Sequence, residues 1–457
     1  PDIIKELCLE ISRGYMDTPD LHITWLDRLV ESHVIDKNFV EAGMCKVKIA
    51  KIIYDNIKQK LPVQLRLDSL TAIYPSLLKD QITGQSPRQQ QQPLQQQQKT
   101  TGQPNACLSS LFSEKGLVET IQAAVMFFRS TEHFEFCGVL YDIIMPLLVC
   151  RHNNKMLSST YYALFEIFSS LNSKDTARIV CNYYRVGFYG TSFEENNGVE
   201  YIYRLPATVS LFSLKEMIKE RYLKSGEVEI LDSTKDTSTL NKDLRYIQLT
   251  TVRPFFDPDE QTARSTHFEK QAVVQRFCFE VPFTKGESGK AHAADASKQW
   301  KKKVVLTAAD TLPSLLRRQR VIAKTTIEVT PIETAMELLK KRTADMHAEV
   351  EAINNLPPNA SINLAGLQLL LQGSVLVQVN GGALEIFKGF LTPEGRQEWP
   401  DQIPALCIQV KEFIQACRRG IDCNKEHVKA DQASFHEQLE VGFGQLETLA
   451  NQFLGES

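Results

Sequence analysis

From residue 2 to about residue 171, apolar positions recur at spacings of three and four, which is the period of a helix lying on a core. In one such run Val40, Met44, Val47 and Lys51 lie beside Ile49, Ile52 and Ile53. The pattern predicts helices near 2–13, 20–33, 37–60, 66–80, 113–130, 132–150 and 155–171. Joints as short as Asp36-Lys37 make neighbouring helices antiparallel hairpins. From Tyr183 the period shortens to two. "YYRVGFYG", "EYIYRLP", "EVEILDS", "RYIQLTTVRPFF", "QRFCFEVPF" and "KKVVLTAAD" are rich in β-branched and aromatic residues and are separated by Gly, Pro, Asn or Asp. One helix, at about 213–224, falls among them, and the strands should end near Lys324.

Past that point Thr330 predicts an N-cap, with Pro331 in the first helical position and Glu333 three residues after the cap. Ile332, Met336, Leu339, Thr343, Met346, Val350 and Ile353 then repeat at helical spacing. Leu406, Val410, Phe413, Cys417 and Ile421 line another helix, and Phe435, Leu439, Phe443, Leu446, Ala450 and Phe453 a third. Together the pattern predicts an α+β multi-lobe chain: a helical-repeat-like first lobe (1–178), a middle lobe of two packed antiparallel β-sheets (179–326), and a C-terminal four-helix bundle with one interrupted helix (327–457). Residues 84–104, "GQSPRQQQQPLQQQQKTTGQP", are too polar to offset the entropy of ordering them and are expected to form a disordered loop.

The interruption is the anomaly in this pattern. Leu364, Leu367 and Leu371 share one face of a helix that should run to about Gln372, and Ala383, Ile386, Phe387 and Phe390 resume helical spacing. Between them, residues 373–382, "GSVLVQVNGG", alternate like a strand and end in turn residues. A broken helix and a β-hairpin both remain open on these residues alone.

Composition narrows the function classes. With 43% hydrophobic and 23% charged residues the 457-residue chain is ordinary globular protein in two to four domains, and a net charge of -3 supplies no basic field for nucleic acid. The ten cysteines are dispersed without a Cys-x-x-Cys pair, as expected of reduced core thiols in a cytosolic protein. The longest apolar run, 139–150, carries Asp142 and Pro146 and is too short to cross a bilayer. The opening Pro-Asp reads as an internal stretch of a longer protein. No phosphate loop, zinc spacing or nucleophile motif occurs. His427 and His436, with Cys417 and Cys423, are expected to be ordinary helix residues, since helical spacing does not bring all four to one face. The basic runs at 298–303 and 316–320 read as solvated charges protecting strand ends.

At the interruption the residues become familiar. "GSVLVQVNGGALEIFKGFL" resembles the interrupted helix in the catalytic domain, dock homology region 2, of the DOCK family of guanine-nucleotide exchange factors for Rho-family GTPases. "YYRVGFYGTSFEENNGVEYIYRLP", "YIQLTTVRPFFD", "THFEKQAVVQRFCFEVPFT" and "TPIETAMELL" agree in order, and "GYMDTPDLHITWLDRL" extends the likeness upstream. "HFEK" and "RFCFEVPFT" look closest to the zizimin-like branch. The resemblance implies Val379 as the nucleotide-sensing residue, with Leu376, Gln378, Asn380, Gly381 and Gly382 contacting the GTPase around it. It implies a Cdc42-type or Rac-type partner, a homodimer through the first lobe, GTPase docking on the sheets, and exchange without covalent chemistry, cofactor or bound metal. It implies no nucleic-acid partner and no membrane contact from this stretch, and a cytoplasmic location with any membrane recruitment supplied by regions outside the chain. Two departures stand out: the Gln-rich insertion, and Gly381-Gly382 where near relatives more often carry Ala-Gly. On the residues alone, a non-catalytic scaffold of the same architecture remains the competing reading.

Overall fold

A computed structural model describes residues 2–77, 110–174, 178–223, 228–231, 240–283, 285, 300–356, 362–376, 383–429 and 432–455. The expected Gln-rich loop lies outside them. The chain forms two compact units, one of residues 1–279 and 305–325, the other of 280–304 and 326–457.

The first unit opens with six helices: α1 (Asp2–Gly14), α2 (Pro19–Ile35), α3 (Phe39–Ile57), α4 (Glu114–Ser130), α5 (Phe134–Cys150) and α6 (Asn154–Lys174). The helix expected at 66–80 is instead two short 3-10 turns, Leu67–Ala72 and Pro75–Leu77. Tyr74 precedes a proline, whose ring disfavours the α conformation one residue before it, so a regular helix cannot pass. α3 is the centre of this layer. Val40, Met44, Val47, Ile49, Ile53 and Ile57 are buried, and Glu41, Lys48 and Lys51 are buried with them. Gly43 permits a close approach of α4, because a Cβ there would lie 2.8 Å from the ring of Phe128.

The sheet follows: β1 (Cys181–Tyr189), β2 (Glu200–Pro206), α7 (Leu211–Leu223), β3 (Glu229–Leu231), β4 (Tyr246–Pro254), the short helix α8 (Pro258–Ala263), β5 (Val274–Phe283), β6 (Trp300–Leu312) and β7 (Arg318–Val329). The strands form one sheet in the order β1-β2-β7-β6-β5-β4-β3, with β1 also paired to β4. The expected pair of separate sheets is thus a single sheet that returns on itself. β4 is the reason: it pairs with β1 along Tyr246–Val252 and with β5 at Arg253 and Pro254, so one strand serves both sets. β3 runs parallel to β4, against the antiparallel expectation. Leu214 and Ile218 of α7 cover Val186, Phe188, Ile247 and Leu249.

Buried charge ties the helices of this unit to its strands. Asp2 accepts from Arg317 Nε at 2.7 Å and Nη2 at 2.9 Å, and from Arg221 at 2.9 Å. Arg318 donates to both carboxylate oxygens of Glu6, at 2.6 and 2.8 Å, and to the Tyr203 hydroxyl at 2.9 Å. The expectation of solvated charges at 316–320 therefore fails for these two arginines. They are buried because the strand end they occupy is covered by α1, and burial without a partner would be prohibitive. Burial alone would raise the Asp2 carboxyl, but Arg317, with Arg318 and Arg221, outweighs it and holds the group well below the usual carboxylate range.

The second unit is built on α9 (Pro331–Asn354), α10 (Ala365–Val375), α11 (Ala383–Phe390), α12 (Pro393–Glu398), α13 (Ile403–His427) and α14 (Ala433–Leu454). Thr330 caps α9 in a full capping box with Glu333, as its spacing predicts. One apolar cluster runs through all the long helices, with Leu339, Leu367, Leu371, Phe387, Phe390, Phe413 and Leu439 excluded from solvent. At its margin Trp300 stands 6.0 Å from Trp399.

Candidate functional site

The broken helix is assembled from two stems. α10 buries Leu367, Leu371, Ser374 and Val375, a stripe at spacings of four, three and one. It continues through Gly373, Ser374 and Val375, three residues beyond the end that the pattern predicts at Gln372. A glycine in a helix is a cost of about 1 kcal/mol, and the packing of Leu371 and Val375 offsets it here. The chain leaves the helix at Leu376, whose backbone is extended (φ -84, ψ 120) and whose N–H still donates to the Gln372 carbonyl at 3.2 Å. α11 then buries Ala383, Ile386, Phe387 and Phe390 at helical spacing. Of the sequence-predicted site residues, Leu376 is described and half-buried against the apolar cluster. Val379, Gln378, Asn380, Gly381 and Gly382 lie outside the described residues, and so does the choice between a plain interruption and a hairpin.

Three further features hold the stems. First, glycines on the two C-terminal helices allow α10 to come close. A Cβ on Gly442 of α14 would lie 2.9 Å from Leu376 Cδ2 and 3.2 Å from the Val375 carbonyl oxygen. A Cβ on Gly420 of α13 would lie 2.8 Å from Met346 Sδ and 3.1 Å from Leu371 Cδ2. Second, Asn424 of α13 is fully buried and joins α10 to α14. Its Oδ1 accepts from Gln368 Nε2 at 3.1 Å and its Nδ2 donates to His436 Nδ1 at 2.8 Å. Glu440 lies 3.3 Å from His436 Nε2 and accepts from Lys425 at 2.9 Å. The hydrogen bond from Lys425 holds the Glu440 carboxyl below its ordinary value. Third, Arg396 fastens the far stem. It donates to the Leu391 carbonyl at 3.1 Å and to the Phe453 carbonyl at 2.7 Å. Only Asn424 carries a readable signal, a polar residue within an apolar face.

No group of three or more metal-capable side chains occurs among the described residues. His436 is engaged with Asn424, and burial pushes the Cys417 thiol up to about 12, so it stays protonated. No helix among the described residues is long and apolar enough to cross a membrane. The stems thus present hydrogen-bonded polar groups and apolar surface, and no constellation for acid, base or nucleophilic work among the described residues.

Comparison with known proteins bears directly on these stems. Sequence models described as DHR-2, Lobe A, Lobe B and Lobe C match residues 6–173, 233–311 and 349–453, in chain order. Human dedicator of cytokinesis protein 8 is 30% identical over 98% of this chain and 21% of its own length. Zebrafish dedicator of cytokinesis protein 11 is 29% identical over 97% of this chain and 20% of its own, and human protein 9 is 27% identical over 98% and 22%. The chain spans about a fifth of the length of the curated relatives it matches. Matched in order by all three lobes, and along nearly its whole length by full relatives, the chain belongs to the DHR-2 domain family of the dedicator-of-cytokinesis proteins.

Proposed function

We propose that this chain is a guanine-nucleotide exchange factor for a Rho-family small GTPase of the Cdc42 or Rac type, in the zizimin-like branch, with Val379 as its working residue. The observation that carries the reading is the helix that stops at Leu376 and resumes at Ala383 in a chain of the DHR-2 family. Residues 327–457 act as a four-helix bundle with one split member, residues 179–326 supply a docking surface, and residues 1–178 pair two copies of the chain. The four aromatic residues Tyr161, Tyr162, Phe165 and Phe168 on one face of α6, 58% to 69% exposed, support the pairing, since such a stripe is costly to leave in water.

A small GTPase holds GDP with backbone amides around the phosphates and a Mg²⁺ ion that offsets their charge. An aliphatic side chain pressed into the cation's position offers no oxygen ligand. It excludes both the ion and its coordinating water, and the uncompensated phosphates loosen. An aspartate there would recruit the ion. Linkage sets the energetics: a factor that binds nucleotide-free GTPase more tightly than the loaded form weakens nucleotide by the same ratio. No covalent step is needed for exchange by this route. The chain works in the cytoplasm, with membrane recruitment supplied by regions outside it.

Release of fluorescent GDP across a panel of Rho-family GTPases tests the proposal, with Val379→Ala alongside. Release should slow by roughly 5- to 150-fold in the variant, the range of typical coupling free energies. Equal release by both proteins would remove Val379 from the mechanism, and no release from any GTPase would leave a docking scaffold.

A further inference from the structure

We infer that Gly442 of α14 is a positioning residue for exchange: it sets where the chain leaves α10, and so where Leu376 sits. The inference rests on the exchange reading above. It starts from two glycines on one helix, Gly442 and Gly444, which meet different surroundings. Gly444 is exposed, with nothing within 4 Å of where a Cβ would stand, whereas at Gly442 that position falls 2.9 Å from Leu376 Cδ2, 3.2 Å from the Val375 oxygen and 3.6 Å from the Val375 carbonyl carbon. Inside a helix both glycines lower helix propensity, so an alanine would serve better on local grounds at either position. Only at 442 does the tertiary structure stand in its way.

The contact falls at the last helical residue and the first extended one. Val375 is buried and cannot yield outward, so the stem must shift along α14 or Leu376 must rotate away from it. A second observation points the same way. The buried Asn424, bonded to Gln368 on α10 and His436 on α14, fixes the roll of α10 about two turns upstream of the contact. With roll fixed by the amide and approach fixed by the glycine, α14 determines the exit geometry of the stem. A reacting geometry disturbed by about 1 Å commonly loses orders of magnitude in rate, so a displaced stem should cost turnover more than affinity.

The test compares Gly442→Ala with Gly444→Ala in the whole chain. Gly442→Ala should slow GDP release at saturating GTPase by about tenfold or more, with the half-saturating GTPase concentration changed less than about threefold and the melting temperature not lowered. Gly444→Ala should stay within about twofold of the parent in every measurement. If Gly442→Ala proves unstable, Gly442→Ala/Leu376→Ala relieves the 2.9 Å contact, the tightest of the three, and is compared with Leu376→Ala alone. The inference expects the two to agree within about threefold, and a double variant that keeps the full tenfold deficit overturns it. Parent-like release by Gly442→Ala, or an equal loss in both glycine variants, also overturns it. Should the parent release no nucleotide from any GTPase, the exchange reading fails by itself. The Leu376 methyl resonances then decide the inference: a shift in Gly442→Ala and none in Gly444→Ala sustains the positioning, and unmoved resonances end it.

Discussion

The two compact units secure their interiors by opposite means. In the first, helices meet strands through buried, paired charge: Asp2 with Arg317, Glu6 with Arg318, and Glu41 with Arg204, whose guanidinium also donates to His133 Nε2 at 2.7 Å. In the second, the long helices meet through Leu, Phe and Ala, with glycines where backbones approach and one buried amide, Asn424, between them. Charge pairs demand fixed geometry from both partners and are lost abruptly when one goes. An apolar interface with glycine seats yields by degrees. The broken helix lies in the second kind of surrounding, against apolar side chains, glycine seats and one buried amide.

The largest effects should separate these two modes. Arg317→Ala leaves the buried Asp2 carboxylate short of its main partner and should destabilise the first unit by about 3–5 kcal/mol, read by urea titration. Phe390→Ala, which opens a cavity at a fully buried ring, should destabilise the second unit by a similar amount, about 3–5 kcal/mol. The contrast lies in the pH response. The Arg317 variant should lose much of the acid-induced destabilisation that the depressed Asp2 carboxyl gives the parent as pH falls below about 3.8, while the Phe390 variant should retain it.

Acid should discriminate next. Burial lowers the pKa of His33, whose Nε2 meets the Leu315 carbonyl at 2.9 Å. Burial, reinforced by the Arg204 charge, holds His133 well below its ordinary value. Both are therefore neutral in the folded protein at a pH where the unfolded chain has begun to protonate them. Their contribution is complete above about pH 6.5 and is lost as pH falls below it, by about 1.4 kcal/mol per pH unit for each histidine. A second loss follows between about pH 4.5 and 2. Burial alone would raise the Glu200 carboxyl, but the hydrogen bonds and charge of Arg185 bring it down to about 2. Hydrogen exchange of α5 amides between about pH 7 and 5 should show the first loss, with α13 amides much less affected. Equal loss in both helices would erase the comparison. The smallest effect is local: Thr330→Ala removes the capping box of α9 and should lower thermal stability by about 1 kcal/mol.

Local chemistry is the legible part of this fold. β2 spans Glu200–Pro206 as its alternation predicts, and the Thr330-Pro331-Glu333 signal marks the α9 start to the residue. What the sequence hides is non-local. Arg317 and Arg318 resemble any solvated pair until α1, more than three hundred residues earlier, is laid over them. The helix expected at 66–80 fails because the proline at 75 outweighs apolar spacing. The sheet closes on itself through β4, and pairing partners are not written in a strand's own residues. The candidate site divides in the same way. The break after α10 is visible as a change of period, whereas Gly442 and Gly444 are indistinguishable in sequence and differ only in what the distant end of α10 brings against them.

The joint between Asp2 and Arg317 also has a practical reading for anyone trimming or fusing this domain. Because the second residue is a structural keystone, bonded to two guanidiniums, the safe place for a tag, a cleavage scar or a deletion lies ahead of it. A truncation begun only a few positions later would remove the acidic half of that joint and leave Arg317 without its hydrogen-bonded carboxylate, yielding poor expression that says nothing about the helices at the other end of the chain.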